Sequence, residues 1–402
     1  MPAILAKTVD HGPPQPGMIK MKYLKAVSLF ILFAVCFSHQ YAKADIQYLG
    51  KVEVSATSSD LSTDSTLLED GTPSNRLGGF GSAITWTGKG NSYIALPDRG
   101  PVDGVTSYKT RLQFFDITVK PNIKLNLVKT FLLTDKNGRN LIGKTDADPR
   151  FDPEGICVSK DDTVFISDEY GPCIYEFDLQ GKFVREVSLP EKFNIKYPDS
   201  DPKRELKLNK VGRQPNKGME GLTITPDFRY LVGIMQSPLV QDGGLDKSFK
   251  RIGTNVRILR IDLDTGKTNE YLYPLDSPAY CVNEITAVGN DCFLVIERDG
   301  KSGERAKCKK IYEVSLARAT DISRIASMPT TGIPDGISSV RKKLYIDLLD
   351  PKFGLPGKAF PEKIEGIAIG PDLDDGRRLL LISSDNDFKP DAPSVMFAFA
   401  VS

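Results

Sequence analysis

The chain has 402 residues, of which 40% are hydrophobic and 26% charged, and its formal net charge is +1. This length is ample for one large domain or two ordinary ones. The near-neutral charge argues against the strongly basic classes of nucleic-acid-binding protein, so we expect no nucleic-acid partner.

Residues 18–44 have the features of a cleaved signal peptide. A lysine-rich start is followed by an apolar run that is short for a membrane span, and Ala42-Lys43-Ala44 then supplies the small residues that signal peptidase needs. A retained membrane anchor is the alternative. Residues 1–17 are interpreted as a start assigned too early. We therefore expect a leader over 1–44, export to the periplasm or the extracellular space, and one domain over 45–402 without a membrane span.

Both histidines, His11 and His39, lie within this leader. The mature domain would therefore contain no Ser-His-Asp triad, no Cys-His pair, no histidine general base and no histidine-ligated zinc. Its chemistry would depend on carboxylates, Lys, Arg, Tyr, Ser, Cys or a hard metal ion.

Five cysteines follow the leader, and none has the C-x-x-C spacing of a zinc or redox motif. Export permits disulfides, and two pairs, Cys157–Cys173 and Cys281–Cys308, are compatible with the predicted strands. The odd number leaves at least one thiol unpaired within the chain. A role as small buried hydrophobic residues is the alternative for Cys157 and Cys292.

The rest of the chain has the pattern of a repeated β-structure. Strand-like runs are short and bounded by turn residues, in keeping with 34 Gly and 27 Pro, and almost no segment has helical periodicity. Each strand-turn-strand unit is too small to bury its own apolar face, so the units must pack together. We predict an all-β, six-bladed β-propeller of four-stranded antiparallel blades, with the N-terminal strand Ile46 to Ala56 closing the last blade. A pair of β-sandwiches is the alternative. The units begin near Gly78, Asp152, Gly218, Asn283, Pro334 and Ile364.

Acidic residues recur where the first strand of a unit begins and where the second strand ends. In a propeller the first strands line the central channel and run in the same direction, so these acids would meet at one mouth. The strand starts give Glu154, Glu220, Glu284, Asp335 and Glu365. The strand ends add Asp98, Asp168, Glu169, Glu297, Asp299, Asp385 and Asp387.

Carboxylates that converge in this way repel one another unless they share a cation or a proton. Oxygen ligands without histidine or thiolate suit calcium. We therefore predict a Ca²⁺ site at the mouth, formed by the five strand-start acids. The alternative is that Glu-Gly only shapes the start of a strand, with Gly meeting a backbone need and Glu capping neighbouring amides.

Basic residues near this mouth are candidates for binding an anionic substrate. Arg99 and Arg298 adjoin strand-end acids, and Lys217 ends a polar insertion over Phe193 to Lys217. This insertion and an earlier one over Lys136 to Arg150 both precede a Glu-bearing strand, so both should lie on the carboxylate face. For the two arginines, pairing with the neighbouring acids is the alternative to binding a phosphate or carboxylate.

Five short motifs of the chain form a distinctive set. They are Gly78-Gly79-Phe80-Gly81, Asp98-Arg99-Gly100-Pro101, Asp152-Pro153-Glu154-Gly155, Ser167-Asp168-Glu169-Tyr170-Gly171-Pro172 and Met219-Glu220-Gly221-Leu222. Together they resemble the phytase-like domain family, which is described by the esterase-like activity of phytase. The resemblance covers roughly residues 75–400 and implies a propeller, calcium, and hydrolysis of a phosphate or carboxylic ester. It carries over no catalytic residue, because the calcium and phosphate residues of the alkaline β-propeller phytases do not match this chain one by one.

These observations predict an exported, calcium-dependent, phytase-like ester hydrolase that acts at the acidic mouth. The catalytic carboxylate would be Glu154, Asp168 or Glu169, and the substrate a small ester or another anion bound by a monomer. One alternative is a gluconolactonase-like lactonase, which turnover of sugar lactones would reveal. Another is a non-catalytic propeller that binds a ligand or protein at the mouth, which calcium binding without turnover would reveal.

Overall fold

Twenty β-strands form five four-stranded antiparallel sheets in the part of the chain that the structure describes, residues 45–402 of a computed structural model. The predicted leader and its two histidines lie outside these residues. Among residues 45–402, no helix has both the length and the apolar character needed to cross a membrane.

The five sheets are the blades of a propeller, and within each blade the strands pair with their neighbours in space. Blade one contains β2 (Ala83–Trp86), β3 (Ser92–Leu96), β4 (Arg111–Thr118) and β5 (Lys124–Leu132). Blade two contains β6 (Pro153–Val158), β7 (Thr163–Asp168), β8 (Cys173–Asp178) and β9 (Phe183–Val187). Blade three contains β10 (Met219–Ile224), β11 (Tyr230–Met235), β12 (Asn255–Asp262) and β13 (Thr268–Pro274).

Blades four and five complete the ring. Blade four contains β14 (Cys281–Gly289), β15 (Cys292–Arg298), β16 (Lys309–Ser315) and β17 (Arg341–Asp347). Blade five contains β18 (Lys363–Asp372), β19 (Arg378–Asp385), β20 (Ser394–Val401) and β1 (Ile46–Val54). Two short helices, α1 (Pro101–Gly104) and α2 (Pro202–Leu208), lie in loops.

The first strand closes the last blade, as predicted. β1 pairs antiparallel with β20, from Ile46 opposite Val401 to Val54 opposite Ser394. The outer strand of blade five therefore comes from the start of the described chain, while its three inner strands come from the end. This arrangement joins the two ends of the domain through a strand ladder.

The prediction of six blades was wrong, because the fifth predicted unit is part of blade four. Its strand, β17, pairs with β16 and is the outer strand of that blade. Residues 316–340 form a loop, in which Ile322 and Met328 pack against Leu272 of blade three. Gly332 and Gly336 in this loop have positive φ angles, and Asp335 between them is exposed rather than at a strand start.

The first strands β2, β6, β10, β14 and β18 contact one another in this order around the channel. The glycine that follows the glutamate is required for this close approach. A Cβ on Gly155 would lie 2.4 Å from the Leu222 nitrogen, and one on Gly221 would lie 2.5 Å from the Ile285 nitrogen. Both distances are too short for a side chain, so the glycine half of the Glu-Gly pattern has a packing role.

Candidate functional site

The first strands of blades two to five each carry a β-bulge near one mouth of the channel. In blade three the ladder between β10 and β11 leaves Glu220 as the extra residue. The corresponding extra residue is Asn283 in blade four and Glu365 in blade five, and Glu154 lies in the corresponding bulge of blade two. A bulge redirects one side chain out of the regular pleat. The four bulge residues, Glu154, Glu220, Asn283 and Glu365, are called the mouth ring below.

The mouth ring contains Asn283 where the sequence pattern indicated Glu284. The Asn283 side-chain amide donates to Glu220 Oε1 at 2.6 Å and to Glu365 Oε1 at 3.3 Å. Glu284 occupies the position that glycine has in the neighbouring first strands. Its Oε1 accepts a hydrogen bond from the Ile285 backbone N–H at 2.8 Å, and burial raises the pKa of this carboxyl. Of the five predicted calcium ligands, the ring therefore includes Glu154, Glu220 and Glu365, and it excludes Glu284 and Asp335.

Three carboxylates of blade two form a cluster beside the ring. One oxygen each of Asp152, Glu154 and Glu169 lies within 4.8 Å of the others, and all three residues are buried. Arg99 Nη1 lies 3.1 Å from Asp152 Oδ2 and 3.7 Å from Glu169 Oε2. The Glu154 carboxylate makes no hydrogen bond or ion pair with any residue in the range 45–402. These three residues are called the blade-two cluster below.

Glu220 adds a second incompletely paired carboxylate next to this cluster. Its Oε1 accepts hydrogen bonds from Gln236 and Asn283, whereas its buried Oε2 has no partner among the described residues. Burial, followed by the negative charges of Glu220 and Asp152, raises the pKa of Glu154 well above its usual range. Burial and the neighbouring Glu169 and Glu365 likewise raise the pKa of Glu220. Among the described residues, no basic group pairs directly with the carboxylates of Glu154 and Glu220.

A second carboxylate cluster joins blades five and one. Oxygens of Asp98, Asp385 and Asp387 also lie within 4.8 Å of one another. The Lys363 ammonium lies among them, 2.9 Å from Asp385 Oδ2, 4.0 Å from Asp98 Oδ2 and in contact with Asp387. Burial raises the pKa of Asp98 to about 6 despite the opposing charges of Lys363 and Arg99. These residues are called the Lys363 cluster below.

A family model described as Phytase-like, "Esterase-like activity of phytase", matches residues 75–388. This chain belongs to the phytase-like family. The matched region includes both carboxylate clusters and the mouth ring. The family model thus confirms the resemblance seen in the sequence motifs, while the number of blades is five rather than six.

One curated relative of this phytase-like protein is described as an uncharacterized secreted protein from Arthroderma benhamiae. It is 28% identical over an aligned length of 331 residues, with 61% of this chain and 63% of that protein covered. The chain thus spans less than two thirds of the length of this relative.

Two solved structures are similar to this phytase-like protein at low sequence identity. The PQQ-bound aldose sugar dehydrogenase from Streptomyces coelicolor is 12% identical, with 90% of this chain and 99% of that chain covered and a TM-score of 0.38. The β-propeller domain of Swd1 from Myceliophteria thermophila is 11% identical, with 81% and 97% covered and a TM-score of 0.36. Similarity at this level carries no information about the activity of the phytase-like chain.

The three predicted catalytic carboxylates of the phytase-like protein lie in different surroundings. Asp168 accepts hydrogen bonds from the backbone N–H groups of Asp152 at 2.7 Å and Gly171 at 2.6 Å, one on each oxygen. Glu169 accepts one from the Gly218 N–H at 3.3 Å and lies near Arg99. Glu154 is the member of the three whose oxygens are free to take a proton or a ligand.

The three predicted substrate-binding residues also differ in their burial and in their ion-pair partners. Arg99 and Arg298 are buried, and each has a carboxylate partner: Arg298 Nη2 lies 2.5 Å from Glu365 Oε1. The ion-pair alternative therefore describes their main contacts. Lys217 is half-buried and forms no ion pair with a described residue. Its positive charge partly offsets the rise in the pKa of Glu220. A substrate-binding role for Lys217 stays a prediction.

Both insertions reach the mouth, as predicted from their positions before Glu-bearing strands. A cavity of about 320 Å³ is lined by Thr145 and Arg150 of the first insertion, Arg213 of the second, and Arg99 and Tyr170 beside the blade-two cluster. Arg213 Nη1 lies 2.5 Å from Glu205 Oε1, and Nε donates to the Tyr170 carbonyl at 2.9 Å. These contacts attach the second insertion to blade two.

All five cysteines in the described residues are free thiols, so neither predicted disulfide pair is present. Cys157, Cys281 and Cys308 are buried, and burial raises the pKa of the Cys157 thiol. The hydrophobic role that the sequence left open for Cys157 agrees with these surroundings.

Proposed function

We propose that this phytase-like protein is an exported, calcium-dependent hydrolase of phosphate or carboxylic esters, and that the acidic mouth is its active site. The observation that carries the proposal is the buried, unpaired negative charge of Glu154 and of Glu220 Oε2. A buried charge without a partner is costly, and a bound cation removes that cost. Export is supported by the predicted leader and by the secreted relative from Arthroderma benhamiae.

The donor atoms at the mouth suit calcium. Asp152, Glu154, Glu169 and Glu220 offer carboxylate oxygens, with neither histidine nor thiolate among them, and calcium takes six to eight such ligands. The unpartnered Glu220 Oε2 is the kind of buried acceptor that a cation would satisfy. When bound, calcium would polarise the ester and offset the charge of an anionic substrate.

Neighbouring residues hold these carboxylates in place. Arg99 orients Asp152 with two hydrogen bonds to its carboxylate, one from the backbone N–H and one from Nη1. Asn283 and Gln236 hold Glu220 by the same oxygen, which leaves its other oxygen free. Preorganised ligands of this kind lose little freedom when they bind a cation or a substrate.

Glu154 is the catalytic residue that the geometry favours. Its carboxylate is buried and accepts no hydrogen bond from a described residue, so an Oε atom is free to take a proton from an attacking water. Lys217, half-buried beside Glu220, would attract the negatively charged end of the substrate. Asp168 would support the site from outside, because it anchors the backbone of Asp152 and Gly171.

The test is metal analysis of the purified protein together with a panel of phosphate esters, carboxylic esters and sugar lactones, with calcium or with chelator. We expect bound calcium and ester turnover that the chelator abolishes. Glu154→Gln should abolish turnover, while the exposed control Glu53→Gln should retain it. Calcium binding without turnover of any ester would support a binding propeller instead, and turnover of lactones alone would support the lactonase.

A further inference from the structure

The Lys363 cluster and the blade-two cluster are built on matching positions of two blades. The Glu169 N–H donates to the Asp152 carbonyl at 2.9 Å, and Lys363 pairs with Asp385 in the ladder of blade five. Asp152 lies two residues before the bulge residue Glu154, and Lys363 lies two residues before the bulge residue Glu365. Asp152 and Lys363 therefore occupy the same position in their blades. Blade two carries a carboxylate there, and blade five carries an ammonium group.

The ammonium group of Lys363 lies where a metal ion would lie in such a cluster. Three carboxylates from two blades surround it, and Asp385 and Asp98 are almost completely shielded from solvent. Most of the Lys363 side chain is itself covered, with 21% of its surface exposed. The observation is more than an acidic cluster, because a cation is already seated on these oxygens.

The two clusters differ in what neutralises them. In the blade-two cluster Arg99 approaches from the edge and pairs with Asp152 and Glu169, but no cationic group of the described residues reaches Glu154. In the Lys363 cluster the amine contacts or approaches all three acids. One cluster therefore has an open position for a cation, and the other has that position filled.

We propose that Lys363 is a built-in cation that replaces a second metal ion, so that the mouth binds one calcium ion where its carboxylates would otherwise hold two. The inference rests on the proposed function for the first ion. It names Lys363 as the residue that sets the metal stoichiometry. The ammonium group would offset part of the charge of the three surrounding acids without calcium.

The test is to remove the amine and count calcium ions. Lys363→Met keeps most of the side-chain length and volume, and Lys363→Ala opens the site fully. We expect both variants to bind one calcium ion more than the wild type by isothermal titration and by elemental analysis after gel filtration. The double variant Lys363→Met/Asp385→Asn should lose the additional ion.

Lys389→Met is the matched control. Lys389 also pairs with Asp387, at 2.8 Å, but 51% of its side chain is exposed and it contacts none of the other acids of the cluster. Its removal should leave the number of ions unchanged. Folding of every variant is checked by circular dichroism in the presence of calcium.

Two failures are distinguishable. If the wild type binds no calcium, the proposed function fails, but a gain of one ion in Lys363→Met would still support the role of Lys363. If folded Lys363→Met and Lys363→Ala bind the same number of ions as the wild type, the inference about Lys363 is overturned. A gain that persists in the double variant would place the ion elsewhere and would also overturn it.

Discussion

At the scale of single residues, the mouth shows that an acidic side chain has different roles depending on its partners. Asp168 and Glu284 accept hydrogen bonds from backbone N–H groups, so they act as fixed acceptors within the fold. Glu154 lacks such a donor, and Glu220 lacks one on Oε2. The free oxygens, rather than the number of acids, are therefore the basis of the proposed cation site.

The first prediction concerns the cost of these free charges. Glu154→Gln should weaken calcium binding by about tenfold or more, because it removes a charged ligand. The same substitution should stabilise the calcium-free protein by about 1 kcal/mol or more, because it removes repulsion among buried carboxylates. Titration calorimetry and urea unfolding in chelator measure the two effects. The exposed Glu53→Gln should change neither, and a loss of stability in calcium-free Glu154→Gln would contradict the prediction.

The second prediction concerns pH. The pKa of Asp98 is raised from 3.8 to about 6 in the folded protein, mainly by burial, so the folded state holds this proton more tightly than the unfolded state. Stability should therefore fall as pH rises through this window. In chelator, Asp98→Asn should remove a share of this loss on the order of 2 kcal/mol between the two pH values measured, because part of the window lies below the lower one. Urea unfolding at about pH 4.5 and 7.5 measures it.

Asp374 provides the control for the pH experiment, since its side chain is 87% exposed. Asp374→Asn should follow the wild type at both pH values. A wild-type protein whose stability rises over this window, or an Asp98→Asn variant that parallels it, would contradict the assignment to Asp98.

The sequence indicated some of these residues and not others. Glu154, Glu220 and Glu365 stand out because each precedes a glycine at a strand start. Asn283 was missed because its neighbour Glu284 fits the acidic pattern, and only the ladder shows which of the two lies in the bulge. Lys363 was missed because its role depends on carboxylates from two blades, which a single strand does not reveal.

At the scale of strands, the glycine of the Glu-Gly pattern meets a packing requirement. The first strands approach so closely that backbone atoms of the next strand occupy the space of a Cβ at Gly155 and Gly221. The glutamate beside each glycine then lies in the bulge that faces the mouth. The packing role that the sequence left open therefore holds for the glycine of the pair, while a calcium-binding role for the glutamate stays a prediction.

The third prediction tests this packing requirement. Gly221→Ala would place a methyl group 2.5 Å from the Ile285 nitrogen, so β10 and β14 would have to separate. We expect a loss of about 3 kcal/mol of stability, at the upper end for an overpacked site. Gly300→Ala has nothing within 4 Å and should stay within about 0.5 kcal/mol of the wild type. Equal stability of the two variants by urea unfolding would contradict the prediction.

The number of blades was harder to predict than the type of fold. Alternating short strands, turn residues and a repeated motif suffice to predict a propeller, because each unit must bury its apolar face against the next. The additional blade was inferred from the fifth predicted unit, whose start, Pro334-Asp335-Gly336, resembles a strand start but lies in an exposed loop. A local motif cannot show whether the strand that follows it, β17, begins a new blade or ends the previous one.

At the scale of the whole molecule, side-chain contacts at the mouth join the blades around the ring. Arg99 joins blades one and two, Asn283 joins blades three and four, Arg298 joins blades four and five, and Lys363 joins blades five and one. Between blades two and three, by contrast, Glu154 faces the charge of Glu220. This junction is called the acidic seam below.

A calcium ion held by Glu154 and Glu220 would complete the ring of contacts. The Gly218 N–H, which donates to the Glu169 carboxylate, already joins these two blades. Without a cation, however, Glu154 and Glu220 still repel each other across the seam. Ligand binding to the folded state stabilises it by mass action, by about 2.7 kcal/mol at one hundred times the dissociation constant. Because the ion would lie between two blades, its effect should be strongest at their shared boundary.

The fourth prediction follows from this position. Calcium should raise the unfolding temperature, and it should slow amide hydrogen exchange most in β6 and β10, the first strands on either side of the acidic seam. Glu220→Gln should remove most of both effects, since it removes the ligand from blade three, whereas Glu53→Gln should retain them. Mass spectrometry of exchanged peptides resolves the two strands from the rest of the ring. Uniform protection of all five blades, or protection confined to blade five, would show that calcium binds elsewhere than at the acidic seam.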